Sequence, residues 1–442
     1  MKSLHILTFM LLLVLVYSCQ NDLLSYQDHS RYDGKDFGVP KTDADSLDGI
    51  KIAVISDIHL MHPSLLVKDG PAFQAYLAKD PKLLKYTYRL FQATVDKMIE
   101  QRPDLVLIPG DLTKDGELID HETVARLLRQ LTIHGIKVVI TVGNHDINNP
   151  EAMRFIGDKT VPVPTVQADR IPFIYADFGF RNAISRDPNS LSYVCEPIKG
   201  LWIIAIDANM YYDNNNVSSV TKGKIKPETL NWIETQLAKA TSKNKLVIAM
   251  MHHGLIEHFT GQEQIDPGYV IEDWQHVSDR LIDDGLKVIL TGHYHANDIT
   301  YREHNGKRVY DVETGSLGQY PCTYRMLTIY GNHFTFEKQN TTALMGGWFD
   351  EYARTFITEK LVGYFTYLLT AKFGIQQPYA SALAPYFQTA GMAHIAGDEY
   401  NPNLPGLIDY LNDVDSTYTL SSIVGSLWTD INTPDNNVTI DF

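Results

Sequence analysis

Cysteine is nearly absent from this chain: Cys19, Cys195 and Cys322 are the three in 442 residues. None stands at the short Cys spacing of a thiolate zinc site, so that class of metal centre is excluded. A long Lys/Arg run is also missing. With 38 basic side chains against 53 acidic ones the formal charge is −15, which argues against an extended nucleic acid as partner. Small anionic substrates stay admissible, because bound divalent cations reverse the local field inside an acidic protein. No GxxxxGK followed by Ser or Thr occurs, which disfavours a phosphate-loop nucleotidase. The N-terminal apolar run, Phe9 to Tyr17, falls short of the about twenty residues a membrane helix needs. Repeats and low-complexity tracts are not evident.

What is present suits a folded chain. Hydrophobic residues make up 44% and charged residues 21%, enough apolar matter for a core, and the length favours one large domain with a smaller companion. Lys2, the apolar run and Ser18-Cys19 followed by Gln20-Asn21-Asp22 read as a secretory signal. Val16-Tyr17-Ser18-Cys19 resembles the lipobox of bacterial lipoproteins, although Tyr17 is bulkier than that pattern prefers. The resemblance implies a signal peptide over residues 1–18, lipidation of Cys19, and export to a bacterial membrane, on its periplasmic side or at the cell surface. Residues 19–49 are polar and aperiodic and read as a tether. Export would permit a disulfide between Cys195 and Cys322, but two thiols so far apart in sequence cannot be paired by spacing.

From Lys51 onward, short apolar runs alternate with helical periodicity. Ile52–Ile55, Leu105–Ile108, Val138–Val142, Leu201–Ile206, Leu246–Met250 and Val288–Leu290 have the character of strands buried on both faces. Tyr86–Gln101, Gly116–His134, Pro227–Ala240 and Glu272–Asp284 are the predicted helices between them. Two hairpins follow: Asp298–Arg302 against Arg308–Val312, turning at Gly306, and Arg325–Tyr330 against His333–Lys338, turning at Gly331-Asn332. The fold class is α/β: a layered body over residues 50–340, then a smaller all-α domain over 341–442. In the latter, Trp348 to Leu369 are spaced as one face of a long helix, and their aromatic side chains read as core.

The chemistry sits at strand exits, where ligands bind in open α/β sheets. Asp57-Ile58-His59, Gly110-Asp111, Gly143-Asn144-His145-Asp146, His252-His253 and Gly292-His293-Tyr294-His295 each follow one of the apolar runs. Singly most are weak; in this order they form a signal. Carboxylate and amide oxygens with imidazole nitrogens suit Mn, Fe or Zn. A carboxylate can bridge two ions, and seven donors are too many for one open catalytic ion but about right for two.

The run DIH, GDLT, GNHD, HH, GHYH resembles the calcineurin-like metallophosphoesterase family, over roughly Gly49 to Gln339. That resemblance implies a β-sandwich flanked by helices, a small phosphoester substrate and two divalent metal ions. By it, Asp57, His59 and His295 hold one ion, Asn144, His252 and His293 the other, and Asp111 bridges. A hydroxide bridging the ions attacks phosphorus, His145 contacts the phosphate and protonates the leaving alkoxide, and Asp146 orients His145. Family members often carry Pro after the paired histidines. Here Gly254 follows, so choosing His252 over His253 rests on position relative to the strand. The context Gly110–Glu117 with His121 resembles a bacterial subgroup, with a C-terminal helical domain, associated with phosphodiester and cyclic-nucleotide hydrolysis.

Asp207 reads as structural; His121, His134, His258, His276, His304 and His333 read as surface or packing histidines, with His121 and His258 the best candidates among them to support the ligands; Gly315-Ser316-Leu317-Gly318 reads as a turn able to shape the site. Phosphomonoesterase or nucleotidase action on the same site is the alternative, and a non-catalytic surface-binding lipoprotein is an alternative of another class. A metallo-β-lactamase-like reading of His293 to Asp298 fails, because the Asp stands one position late and no His follows it.

Overall fold

The computed structural model describes residues 47–442 apart from 216, 398, 401–404, 416, 418 and 432. The signal, Cys19 and most of the tether lie outside the described residues. All six apolar runs are strands, and they divide between two sheets. The first sheet runs Asn437–Asp441, His333–Asn340, Thr323–Tyr330, Ile50–Val54, Leu105–Pro109 and Lys137–Thr141, with the last three parallel. The second runs Ile299–His304, Lys307–Glu313, Val288–Thr291, Leu246–Met251, Leu201–Ile206, Tyr193–Ile198 and Ala183–Arg186, with a parallel centre.

The sheets close face to face over one core. Ile52 and Val54, Leu105 and Leu107 from the first meet Leu201, Ile203, Ala205, Ile248 and Leu290 from the second. On Leu201–Ile206 the alternate set Trp202, Ile204 and Ile206 points outward, against Leu230, Ile233 and Leu237 of helix Pro227–Ser242 and Leu281 of helix Trp274–Asp283. Both faces are therefore apolar, which is why these strands read as unbroken hydrophobic runs. Each fully buried Ile or Leu contributes about 1.5–3 kcal/mol relative to exposure.

Both predicted hairpins form, turning at Gly306 and at Gly331-Asn332; in the first, Ile299 pairs with Val312 and His304 with Lys307. A small sheet of Leu66–Lys68, Met153–Ile156 and Lys159–Pro162 was not legible beforehand. It stabilises the segment between the first motif and helix Thr87–Gln101 through Met61, Leu65, Phe73, Leu84 and Phe155.

The C-terminal region is helical, with Phe349–Ala371, Gln377–Ala396, Pro405–Val414 and Thr419–Ser426. Phe365, Leu369, Leu383, Phe387 and Trp428 share a core with Phe259 and Ile265 of the body. The region's last segment is not helical. Val438 and Ile440 alternate with polar neighbours, a strand period, and Asn437–Asp441 pairs antiparallel with His333–Glu337 so that Ile440 enters the inter-sheet core. None of the described helices is long and apolar enough to cross a membrane. Cys195 and Cys322 are buried free thiols, and burial pushes that of Cys195 up to about 12.

Ile440→Ala should lower the unfolding free energy by about 2–5 kcal/mol in urea titration. A loss below about 0.5 kcal/mol, the scale of a surface change, would show that the terminal strand is not part of the core.

Candidate active site

The carboxyl ends of five parallel strands deliver all seven predicted donors to one place. Backbone conformation shows how tightly they are drawn in: Asp57, His59, Asp111, His293 and His295 have φ of 51°, 44°, 46°, 77° and 70°. Non-glycine residues enter this left-handed region rarely, and a cluster of them marks stored strain at a functional centre. Neighbouring glycines make room. A Cβ on Gly143 would lie 2.0 Å from Asp111 Oδ1, and one on Gly292 would lie 2.4 Å from Asp57 Oδ2.

The donors form two groups about Asp111. In one, His295 Nε2 is 3.2 Å from Asp57 Oδ1 and 3.1 Å from His59 Nε2. In the other, His252 Nε2 is 3.0 Å from Asn144 Oδ1, and the ligand atoms of His252, His293 and Asp111 lie within 4.8 Å of one another. A single oxygen, Asp111 Oδ2, is 3.5 Å from His59 Nε2 and 3.2 Å from His252 Nε2, and so faces both groups.

These atoms fit a pair of cations. The ring nitrogens turned away from the centre have fixed acceptors: His252 Nδ1 on Pro109 O at 3.0 Å, His293 Nε2 on Gly268 O at 3.1 Å, His295 Nδ1 on Gln319 Oε1 at 2.9 Å. Each hydrogen bond sets the tautomer so that the other nitrogen presents a lone pair inward. Asp57 Oδ1 is buried and finds no hydrogen-bond partner among the described residues. Lone pairs packed this closely in a buried place call for positive charge between them. Burial opposes ionisation of Asp111, yet His252, His145 and His59 outweigh it and hold the carboxyl well below its usual range.

The sequence profile of the calcineurin-like phosphoesterases matches residues 50–297. The chain belongs to that family. A dimetal phosphatase from Danio rerio is 12% identical, covering 66% of this chain and 97% of its own, with a TM-score of 0.46. The sulfate thiohydrolase SoxB of Thermus thermophilus is 14% identical, covering 74% of this chain and 62% of its own, with a TM-score of 0.34. Both scores are too low to carry an argument, and the membership rests on the sequence match. No curated protein matches the chain at a significant level.

Within this phosphoesterase, His253 turns away from the donor groups. Its Nε2 meets Thr221 O at 2.8 Å, and burial with the neighbouring His252 pushes its pKa down to about 3. His145 lies beside the donors, its ring edge-on to His59 with centroids 4.9 Å apart.

Its orienting partner is not the adjacent Asp146. Asp115 Oδ1 is 2.9 Å from His145 Nδ1, and Asp115 is itself held by Lys114 and by Tyr76 OH at 2.7 Å. Asp146 instead caps the loops: its carboxylate accepts from Leu112 N, Thr113 N, Thr113 Oγ1 and Gly143 N at 2.7–3.1 Å. Successive side chains diverge, so neighbours in sequence need not meet.

His121 supports the same loop, bonding Asp146 O at 2.8 Å. The Gly315–Gly318 turn braces the first motif, with Ser316 Oγ donating to Asp57 O at 2.8 Å. Asp207 bonds Asn209, Leu191 and Tyr211 nearby, a structural role. His258 is directed elsewhere, to Asp298.

Sequence reasoning missed Lys82. It is buried, pairs with Asp80 at 3.2 Å, and its charge acts on His59, His145 and Asp111. With Asp111, Asn144, His145, His293 and His295 it lines a cavity of about 1150 Å³. Tyr269, Tyr294, Leu361, Tyr364 and Tyr367 form much of the wall, the last three from helix Phe349–Ala371.

Asp115→Asn should lower kcat about 10–100-fold at unchanged metal content, the usual cost of losing an outer partner. Asp146→Ala should strip four donors of their acceptor and lower Tm and metal content together. Elemental analysis alongside steady-state rates checks both; the reverse pattern would return the orienting role to Asp146.

Proposed function

We propose that this phosphoesterase hydrolyses small phosphodiesters, with cyclic nucleotides as the leading class. The observation that carries the reading is Asp111 Oδ2 set between two donor groups on the floor of a large cavity. A pair of divalent ions bound there would act as Lewis acids on a phosphoryl oxygen and make water a nucleophile near neutral pH.

The side chains do the rest. Asp57, His59 and His295 would form one binding group, Asn144, His252 and His293 the other, with Asp111 common to both. Lys82 neutralises a non-bridging phosphoryl oxygen from the cavity side, a charge-assisted contact. His145, held by Asp115, gives its proton to the departing alkoxide, so the leaving oxygen exits as a hydroxyl. Tyrosine faces in the wall offer stacking surfaces for a base, worth about 1–3 kcal/mol per stacked base. The motif context around Gly110–Glu117 supports the diester reading.

A second reading turns on the same Lys82. A buried Lys82 beside the donor groups adds positive charge suited to the dianion of a phosphomonoester. Rates on bis(p-nitrophenyl) phosphate, p-nitrophenyl phosphate and cyclic AMP with Mn²⁺ separate the two. The diester and the cyclic nucleotide should turn over faster than the monoester. Asp111→Asn and Asn144→Ala should abolish turnover with circular dichroism unchanged. Lys82→Ala should reduce kcat/KM about 10–100-fold, the worth of a hydrogen bond to a charged group. Faster monoester cleavage would transfer the assignment to a phosphomonoesterase, and no turnover with any divalent ion would leave a binding protein.

We also propose export and attachment to a bacterial membrane through lipidated Cys19, supported by the sequence from Lys2 to Asp22. Radiolabelled palmitate should enter the wild type, and Cys19→Ala should move the protein from the detergent phase to the aqueous phase of a Triton X-114 partition. Equal partition of the two would end the proposal.

A further inference from the structure

Far along the chain from most of the donors, three segments bring carboxylates into one buried place. Asp298 lies three residues past His295, His394 lies near the end of helix Gln377–Ala396, Glu399 follows that helix, and Asp435 precedes the terminal strand. They are 3%, 1%, 7% and 2% exposed. Ligand atoms of Asp298, His394 and Glu399 lie within 4.8 Å of one another, as do those of Glu399, Asp430 and Asp435. His394 Nδ1 is 2.9 Å from Glu399 Oε1 and 3.6 Å from Asp298 Oδ2.

The surrounding protein satisfies half of this cluster. Asp298 Oδ1 meets His258 Nδ1 at 2.5 Å, and Asp435 Oδ1 accepts from Ile299 N at 2.7 Å. Glu399 Oε2 and Asp435 Oδ2 are buried, and no donor of the described residues reaches them; the two carboxyl groups meet each other within hydrogen-bonding reach. Two cations border the cluster, His258 on Asp298 and the buried Arg325, but neither donates to Glu399 Oε2 or Asp435 Oδ2. Buried Arg325 donates from Nε to Glu313 O at 3.0 Å and from Nη1 to the main-chain oxygen of Asp435 at 2.6 Å. His258 presents its other nitrogen to Asp311 at 3.4 Å and Glu313 at 3.9 Å. Burial, then repulsion among the carboxylates, pushes Glu399 up to about 12 and Asp435 to about 8. Without a cation the cluster keeps protons it would otherwise lose.

We propose that Asp298, His394, Glu399 and Asp435 bind a third divalent cation, separate from the catalytic pair. The buried oxygens of Glu399 and Asp435 that no protein donor reaches, with Asp298 Oδ2 and His394 Nδ1 gathered on the same Glu399, are the observation that carries it. Carboxylate oxygens with one imidazole suit Zn or Mn; calcium sites are built from oxygen alone. The ion's role is structural. It fastens the helical region and the segment before Asn437 to the loop that carries His293 and His295, and its binding free energy adds to folding.

The test uses the full chain, stripped with chelator, reloaded with Zn²⁺, desalted and measured by elemental analysis. Glu399→Gln/Asp435→Asn should hold one equivalent fewer than the parent, and the same difference of one should appear in an Asp111→Asn background. Thermal melts give a second readout. Zn²⁺ should raise the Tm of Asp111→Asn more than that of Asp111→Asn/Glu399→Gln. In chelator the isosteric Glu399→Gln should melt at or above the parent, because the carboxyl it replaces already carries a proton there, and below it in Zn²⁺. Equal stoichiometry, or a Glu399→Gln effect of the same sign with and without Zn²⁺, would overturn the proposal in favour of carboxylates sharing protons.

Discussion

A carboxylate held between two sets of imidazoles organises this molecule. Asp111 can face both His59 and His252 because strand Leu105–Pro109 lies beside Ile50–Val54 in one sheet, while strand Leu246–Met251 ends opposite it in the other. The sandwich must therefore close in a single register for Asp111 Oδ2 to reach both. A one-residue slip in either strand would interchange its two buried faces and withdraw a donor at the same time. Core packing and site assembly are thus one constraint, met by the same strands.

Much of this was legible because it is local. Strands buried on both faces announce themselves as short apolar runs, and the residue following each is placed at the sheet's edge by the strand itself. The pairing of donors around Asp111 came from the family resemblance, and the geometry places those side chains together. What escaped the sequence was non-local or aperiodic. Lys82 comes from the stretch between the first motif and helix Thr87–Gln101, which has no clear period. Asp115 was in view within Gly110–Glu117, but Asp146 adjoined His145 in sequence and drew the role. The strand Asn437–Asp441 was hidden because a five-residue alternation after four helices is a faint signal.

The helical region shows the same division. Its aromatic spacing was read as core, and Phe349 and Phe365 are core, whereas Trp348 and Tyr352 are exposed. Tyr364 and Tyr367 on the same helix instead face the cavity. Periodicity tells that a helix buries a face; it does not tell what space the next face borders. Substrate choice in general lies with the walls of a pocket and not with its motifs, which explains why motifs that name a reaction leave its substrate open.

The left-handed backbone at five of the seven donors bears on how such a protein can be made hardier. Each such residue stores on the order of 1–3 kcal/mol when the surrounding structure forces it. Selection for heat resistance alone would find relief there first, replacing aspartate or histidine by glycine or asparagine. Screens for thermostable descendants will enrich inert ones unless turnover is scored in the same round.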